Sequence, residues 1–301
     1  PVNNFAVVTA ARYAGITVDA ARWTPSVSAK VAVDYAMATE SDFVKPVLDS
    51  QVPLKDMGMT VRFPEDDYGS VPGHIVDGPE DIDKLHIFDP DNASECPGFT
   101  SIREALACTA SILPEDLHIC GLSWGPITTA GYLMGAENMM FATMVDPDIV
   151  KKLVAKSAEL VSVMERAMIV SGATLMWMAD PTSSEDLISP DMFVEYSRDG
   201  IKKVIDDVKK KSDVPNFVHI CGNTLETIQH LKGTGADCLS FDHAVDPAKA
   251  RAAAGRDLAL MGNVDPVKLI MSGTPEQITE RSYSIIEAAG QEGGLILAPG
   301  C

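Results

Sequence analysis

From about residue 117 onwards, short apolar runs alternate regularly with amphipathic stretches. The clearest amphipathic stretch, 146–172, places its apolar side chains at helical spacing on one face of a long helix. The apolar runs that alternate with the helical patterns are 117–123, 174–180, 216–221, 237–242, 257–263 and 294–301. Strands that alternate with helices in this way predict an α/β fold built on a parallel sheet.

Two further apolar runs lie closer to the N-terminus, at 5–10 and 42–47, and each is followed by a helical pattern. They bring the number of predicted strands to eight. Eight β/α units in a chain of 301 residues fit a closed (β/α)8 (TIM) barrel better than an open sheet. We therefore predict one barrel domain over 1–301, with an irregular excursion around 58–96, where Pro, Gly and Asp are frequent.

The charge balance restricts the partners that such a domain can bind. The chain carries 43 acidic and 24 basic residues, which gives a formal net charge of -19. A field of this sign repels phosphate backbones and anionic lipids, so we expect neither a nucleic acid nor a membrane as partner. No apolar run reaches the roughly 18–20 residues of a membrane span. The six cysteines are too few for a disulfide scaffold and indicate a reducing compartment, so we predict a cytoplasmic protein.

Side chains of the kind that bind metals stand at the ends of two predicted strands, where the chemistry of barrel enzymes is found. His219 and Cys221 lie two positions apart in an apolar run, so on a strand they face the same way. Cys301 ends another apolar run. Imidazole and thiolate are ligands that zinc prefers, and three protein ligands leave a fourth position open for chemistry. The sequence thus predicts a zinc site; the alternative is a satisfied histidine with two buried thiols.

Two acidic residues at strand ends are the candidate catalytic groups. Asp242 could fill the open zinc position or hold His219 through its second ring nitrogen, and His243 and Asp246 are rivals for this function. Asp180 ends another predicted strand and could position the substrate. The alternative for each of these side chains is a place in a helix cap or a turn.

Amide and cationic side chains near the same strand ends are candidate binding groups. Asn223 and Asn263 lie near the mouth of the predicted barrel and are the candidate cofactor-binding residues. An anionic head group such as a sulfonate would need Arg, Lys or backbone N–H groups, and Arg12 is the nearest obvious cation. The alternative for Arg12 is an arginine on the surface or at the edge of the core.

Seven short motifs carry a resemblance to a known family. They are GLSWGPIT at 121–128, ADPT at 179–182, LISP at 187–190, HICGN at 219–223, SFDH at 240–243, MGNVDP at 261–266 and LAPGC at 297–301. Together they resemble the uroporphyrinogen decarboxylase superfamily, and within it the zinc branch, the methylcobamide:coenzyme M methyltransferases of methanogens. The His-x-Cys…Cys pattern distinguishes this branch from the decarboxylases, which need no metal.

This resemblance implies a (β/α)8 barrel, a catalytic zinc ion, and methyl transfer from a methylated corrinoid to a small thiol. It implies a small corrinoid protein as partner and coenzyme M as the thiol substrate, as in methanogenesis. It also implies a final helix after the last cysteine, which this sequence does not contain, so we expect a barrel that lacks its last helix. The alternatives are a metal-free decarboxylase of the uroporphyrinogen decarboxylase type and a non-catalytic paralogue that binds a corrinoid or a thiol.

Overall fold

The computed structural model describes residues 1–3, 7–46, 49–114 and 117–301. Within these ranges the molecule is built on a curved parallel sheet of seven strands. The strands are β1 (Phe43–Val44), β2 (His118–Trp124), β3 (Leu175–Ala179), β4 (Asn216–Ile220), β5 (Cys238–Phe241), β6 (Ala259–Val264) and β7 (Leu295–Pro299). Neighbours in the sheet follow the chain order from β1 to β7, so all the strands end at the same edge.

Helices precede β1 and fill the connections between the strands. The described helices are α1 (Val7–Tyr13), α2 (Val18–Arg22), α3 (Pro25–Ala38), α4 (Val52–Asp56), α5 (Pro79–Lys84), α6 (Pro97–Ile112), α7 (Pro126–Met134), α8 (Ala136–Val145), α9 (Pro147–Val170), α10 (Pro190–Met192), α11 (Arg198–Lys209), α12 (Ile228–Leu231), α13 (Pro247–Ala254) and α14 (Pro275–Ala289). Short 3-10 or π-helical segments are Pro181–Ser183, Phe193–Ser197, Lys232–Thr234 and Pro266–Met271. No helix in the described ranges combines the length and the hydropathy that crossing a membrane requires.

The sheet has an apolar cluster on each face. The larger cluster packs the sheet against the helices and includes Met178. The smaller cluster lies on the other face and includes Trp177 and Phe217. Strands β3, β4 and β5 are buried along their whole length because both faces of a parallel sheet are covered. His219 lies two positions after Phe217 in β4, so its side chain projects from the face that carries the smaller cluster.

The first three residues of the chain connect the two edges of the sheet. The Asn3 N–H donates to the carbonyl oxygen of Leu297 at 3.0 Å, and the Leu297 N–H donates to that of Pro1 at 2.9 Å. On the other side, the Asp42 N–H donates to the Val2 carbonyl oxygen at 3.0 Å. These hydrogen bonds place the N-terminal residues between β7 and the start of β1.

The six apolar runs from 117 onwards each contain a strand, with bounds that agree within two residues. The helix predicted over 146–172 is α9. The predicted count of eight strands is not reached in the described residues, which form seven. The excursion around 58–96 contains α5 and an isolated antiparallel bridge between Arg62 and Ser70.

The strand predicted over 5–10 is wrong. Residues 7–10 belong to α1, and residues 5 and 6 lie outside the described part of the chain. Ala10 and Ala11 are buried in one cluster with Val18 and Ala21. Alanine favours a helix, and its small side chain lets α1 and α2 approach closely. Helix packing of small residues therefore outweighs the β-like pattern of this run.

The strand predicted over 42–47 is shorter than expected. It is confined to Phe43–Val44, and residue 47 lies outside the described ranges. Pro46 has no N–H to donate to a neighbouring strand, which explains why β1 does not extend through the rest of the predicted run.

Candidate metal centre and its cleft

Three side chains that can bind a metal converge at the ends of β4 and β7. His219 is the fourth residue of β4, Cys221 directly follows that strand, and Cys301 lies two positions after β7. The Cys221 Sγ atom lies 3.3 Å from His219 Nε2 and 3.8 Å from Cys301 Sγ. All three ligand atoms lie within 4.8 Å of one another. The structure thus brings together the trio that the sequence analysis predicted.

Two glycines next to the cysteines allow this convergence. Gly222 has a φ of +72°, and a Cβ atom there would lie 2.0 Å from Asp186 Oδ2. At Gly300, a Cβ atom would lie 2.4 Å from the backbone nitrogen of His243. Any side chain at Gly300 would push the chain away from the loop after β5 and would move Cys301 with it.

The His219 ring is held by a hydrogen bond from its other side. Its Nδ1 atom lies 2.9 Å from Ser240 Oγ, which is fully buried in β5. When Nδ1 carries the proton and donates it to this hydroxyl, Nε2 presents a lone pair towards the two sulfur atoms. Ser240 is therefore a group that can fix both the orientation and the tautomer of the histidine.

The two thiols influence each other's ionisation. The neighbouring Cys221 thiol and His219 lower the pKa of Cys301 to about 4. The pKa of Cys221 is raised, first by the nearby Cys301 and then by burial. These opposite shifts favour a state in which one sulfur is ionised while the other keeps its proton. A divalent cation would displace that proton and balance the charge of two thiolates.

The spacing of these atoms fits a tetrahedral zinc ion. With Zn–S bonds of about 2.3 Å and Zn–N bonds of about 2.0 Å, such an ion holds two sulfurs about 3.8 Å apart and a sulfur and a nitrogen about 3.5 Å apart. In the structure these separations are 3.8 Å and 3.3 Å. A disulfide is excluded, because both residues are free cysteines and bonded sulfurs lie about 2.05 Å apart.

Asp242 lies at the end of β5 but outside the group of three. Its carboxylate lies 2.6 Å from His243 Nδ1, and its Oδ1 atom accepts a hydrogen bond from the Ala244 N–H at 3.0 Å. The negative charge of Asp242 raises the pKa of Cys221, so the carboxylate is within electrostatic range of the thiols. A ligand or second-layer function for Asp242 stays a prediction.

Asp180 is fully buried and holds the start of a helix. Its Oδ1 atom accepts a hydrogen bond from the Thr128 N–H at 2.9 Å, in the first turn of α7. Its Oδ2 atom accepts hydrogen bonds from the hydroxyls of Ser183 at 3.1 Å and Ser197 at 3.4 Å. Burial raises the pKa of Asp180 to about 6, although the hydrogen bonds oppose this shift. These contacts give Asp180 a structural function, and its predicted contact with substrate stays a prediction.

Asn223 and Asn263 connect the loops of the mouth. The Asn223 amide donates to Glu185 Oε2 at 2.9 Å and so joins the loop after β4 to the loop after β3. The Asn263 amide donates to the carbonyl oxygens of Asp242 and Val245 at 3.0 and 2.7 Å. Neither amide is part of the ligand group, and their function as cofactor-binding residues stays a prediction.

A cleft of about 480 Å³ opens beside the ligand group. His219, Cys221 and Cys301 form one wall of it, and much of the remaining lining is aromatic or aliphatic, including Trp124 and Trp177. The Trp177 ring centroid lies 5.9 Å from that of His219. The three candidate ligand side chains therefore face a partly open, mostly apolar cleft.

Lys45, which no pattern in the sequence singles out, lines the same cleft. Its ammonium nitrogen lies 4.6 Å from the Trp177 ring centroid, and burial lowers its pKa. The strand predicted over 42–47 includes Lys45 in its interior. In the structure the strand ends at Val44, so Lys45 lies at the edge of the sheet where the cleft opens. Arg12, the cation suggested by the sequence, is exposed in α1 and does not line the cleft.

A curved parallel sheet with a His, Cys, Cys group at its strand ends defines an α/β protein with a candidate transition-metal site. The chain belongs to the uroporphyrinogen decarboxylase (URO-D) family, whose sequence profile matches residues 2–301. This finding confirms the resemblance inferred from the sequence motifs. Several uroporphyrinogen decarboxylases are also similar to the chain, at 26–30% identity.

Two relatives from Methanosarcina mazei are named as methyltransferases. The methylated-thiol–coenzyme M methyltransferase is 27% identical over 80% of this chain and 63% of its own length. The methylcobamide:CoM methyltransferase MtbA is 30% identical over 77% of this chain and 65% of its own length. The aligned part of this chain therefore spans a little less than two thirds of these relatives.

A solved structure described as a methyltransferase from Methanosarcina mazei has the same fold. It superposes with a TM-score of 0.89, covering 100% of this chain and 87% of its own, at 23% sequence identity. At this identity the similarity concerns the fold alone.

Proposed function

We propose that this chain is the catalytic domain of a zinc-dependent methyltransferase that moves a methyl group from a methylated corrinoid to a small thiol such as coenzyme M. In this proposal the domain is a (β/α)8 barrel in which the N-terminal residues between β7 and β1 take the eighth position of the sheet. The observation that carries the proposal is the convergence of His219, Cys221 and Cys301 within 4.8 Å at one wall of an apolar cleft.

His219, Cys221 and Cys301 would hold the zinc ion. When bound, this ion would keep a coordinated acceptor thiol deprotonated at neutral pH, where a free thiol is mostly protonated and weakly nucleophilic. The thiolates of Cys221 and Cys301 would offset the charge of the ion and so leave electron density on an acceptor sulfur. Ser240 fixes the His219 ring through the 2.9 Å contact to Nδ1.

The cleft would bring the donor and the acceptor together. Its apolar walls would limit contact of the reacting groups with water, and its aromatic side chains offer flat surfaces to a corrinoid ring. The Trp124 indole is held in place because its N–H donates to Gln51 Oε1 at 2.9 Å, and the Gln51 amide in turn lies 3.3 Å from the Tyr132 hydroxyl. A small corrinoid protein would dock over this mouth. Fixed placement of both reactants lowers the entropic cost of reaching an in-line arrangement.

Four further residues have supporting functions in this proposal. Asp242 acts on the thiols through its negative charge and is the group available to a fourth metal position. Asp180, Asn223 and Asn263 are positioning residues, because their hydrogen bonds hold the loops that form the mouth.

The test is a spectroscopic assay with the purified protein. Methylcobalamin is mixed with a thiol, and its absorbance is followed as the methyl group leaves cobalt. We expect zinc-loaded protein to demethylate methylcobalamin in the presence of thiol, and the metal-free protein to do so only after zinc is returned. Absence of thiol-dependent demethylation with any of several thiols would contradict the proposal.

Decarboxylation of a uroporphyrinogen is the alternative, because relatives with that name also match the chain. A substrate with many carboxylates needs several cations around it. Among the described residues that line the cleft, Lys45 is the one lysine or arginine. Release of CO2 from uroporphyrinogen by the metal-free protein would favour the alternative.

A further inference from the structure

Two loops that line the cleft are joined by one buried carboxylate. Asp49, between β1 and α4, is 2% exposed and does not itself line the cleft. Its Oδ1 atom accepts a hydrogen bond from the Gln51 N–H at 3.0 Å, and its Oδ2 atom accepts one from the Gly69 N–H at 2.7 Å. Gln51 lines the cleft, and so does Tyr68, which directly precedes Gly69. Asp49 therefore connects the backbones that carry two side chains of the cleft.

An arginine from an earlier part of the chain holds this carboxylate. Arg22, the last residue of α2, donates from Nε to Asp49 Oδ2 at 3.0 Å, and only 1% of its side chain is exposed. Its other guanidinium nitrogens donate to the carbonyl oxygens of Pro64 and Asp67 and to Asp19 Oδ1. Removal of one partner leaves a buried charge uncompensated, so the pair keeps its geometry only when both side chains are present. The ion pair thus ties α2 to both loops.

The ion pair is connected to the cleft through Gln51. The Trp124 N–H donates to Gln51 Oε1 at 2.9 Å, and Gln51 Nε2 lies 3.3 Å from the Tyr132 hydroxyl. The Trp124 and Tyr132 rings pack against each other, with their centroids 5.6 Å apart. Because Asp49 fixes the backbone of Gln51, a chain of hydrogen bonds runs from the buried ion pair to an indole that lines the cleft.

We propose that Asp49 and Arg22 are positioning residues for the methyl donor. They set the orientation of the aromatic lining contributed by Tyr68 and Trp124, and with it the affinity of the cleft for a flat ring. This inference rests on the proposed function, in which that ring is a corrinoid. Neither residue of the ion pair would touch the donor, because both act through Gln51 and the loop that carries Tyr68. The N-terminal part of the chain, which contains none of the candidate metal ligands, would thereby control donor binding and leave the metal centre unchanged.

The experiment measures donor binding separately from turnover. Methylcobalamin is dialysed to equilibrium against the zinc-loaded protein without a thiol, and its absorbance gives the dissociation constant. The variants are Asp49→Asn, which removes the charge and keeps the shape, Gln51→Ala, which releases the Trp124 indole, and the two combined. Asp237→Asn is the matched control, because its carboxylate also accepts a backbone N–H and pairs with a lysine, but does not line the cleft.

Weaker donor binding with an intact metal site is the expected result. Loss of one well-placed aromatic contact to a flat ring corresponds to about a tenfold weaker interaction, so each single variant should raise the dissociation constant of methylcobalamin by about that factor. The combined variant should also stay near tenfold, because Asp49 and Gln51 act through the same indole. Zinc content and KM for the thiol should change less than about twofold. Asp237→Asn should unfold at lower denaturant concentration and bind methylcobalamin as the unmodified protein does.

Arg22→Lys is a second and milder variant, which keeps the charge beside Asp49 but cannot reach all the acceptors of the guanidinium. It should raise the dissociation constant of methylcobalamin by more than about twofold, and it decides the question if Asp49→Asn does not fold. Unchanged donor binding in the folded variants of the ion pair, or an equal loss in Asp237→Asn, would overturn the inference. A combined effect near a hundredfold for Asp49→Asn and Gln51→Ala would overturn the route through Gln51.

Turnover measurements separate this inference from the proposed function. If methylcobalamin binding depends on Asp49 while no thiol is methylated, methyl transfer fails as the function and the positioning by the ion pair stands. If methyl transfer proceeds and KM for methylcobalamin is the same in Asp49→Asn as in the unmodified protein, the positioning fails and methyl transfer stands.

Discussion

The sulfur atoms of Cys221 and Cys301 lie 3.8 Å apart, although 80 positions separate the two residues in the chain. This separation is the one that a tetrahedral zinc ion imposes on two thiolate ligands, and it is nearly twice the length of a disulfide bond. Parallel strands make it possible, because they end at one edge of the sheet and bring residues from distant parts of the chain together.

Ser240 should control the affinity for zinc. We expect Ser240→Ala to weaken zinc binding by about 10- to 100-fold, because His219 loses the group that fixes its orientation and tautomer. Competition with a chromogenic chelator measures this affinity. Ser162→Ala is the control, since that buried hydroxyl donates to the Ala158 carbonyl oxygen inside α9. Equal zinc affinity in the two variants would argue against a function for Ser240 in the metal site.

Asp180 should matter for stability more than for zinc binding. Asp180→Ala leaves the buried Thr128 N–H and two hydroxyls without their acceptor, which should lower the free energy of unfolding by about 3 kcal/mol. We expect zinc stoichiometry to stay unchanged. Asp246→Ala, which removes an exposed cap of α13, should cost about 1 kcal/mol. Denaturant unfolding and metal analysis check both values. Loss of zinc with unchanged stability would instead place Asp180 in the site.

Glu165 should make stability depend on pH. Burial raises the pKa of this carboxyl from 4.5 to about 7, and the hydrogen bond from Ser123 opposes the shift. The folded protein then binds more protons than the unfolded chain between these pH values, so stability falls as pH rises from 4.5 to 7. Glu165→Gln should remove this loss and stabilise the protein by about 3 kcal/mol at pH 8, with little effect at pH 4.

Denaturant unfolding at several pH values measures the difference between Glu165→Gln and the unmodified protein. The exposed Glu104→Gln variant is the control and should show a difference close to zero throughout. A difference for Glu165→Gln that is the same at pH 4 and pH 8 would show that the buried carboxyl does not retain its proton up to neutral pH.

The sequence predicts the second half of the fold and the centre of the site because their patterns are local. From residue 117 onwards each buried strand is a continuous apolar run, and the polar residue that ends it lies at the functional edge. His219, Cys221 and Cys301 could therefore be assigned to one site from their positions in the sequence. Their convergence also depends on Gly300, whose close approach to His243 is a tertiary contact that no run of residues reveals.

The N-terminal region could not be predicted in the same way. The run 5–10 has the composition of a strand, but its small residues pack into helix α1. The two-residue strand β1 is too short to give a periodic signal, and Lys45 was therefore assigned to a strand interior instead of the cleft. The contacts of Asp180 with α7 were also not foreseen, because a buried cap and a catalytic acid look alike in a sequence.

Zinc content measured by plasma mass spectrometry tests the central claim most directly. We expect about one zinc ion per chain in the unmodified protein and in Cys108→Ser, which changes a thiol outside the ligand group, and almost none in Cys221→Ser/Cys301→Ser. An unmodified protein that takes up no zinc even when zinc is supplied, or a double variant that retains its full content, would contradict the account.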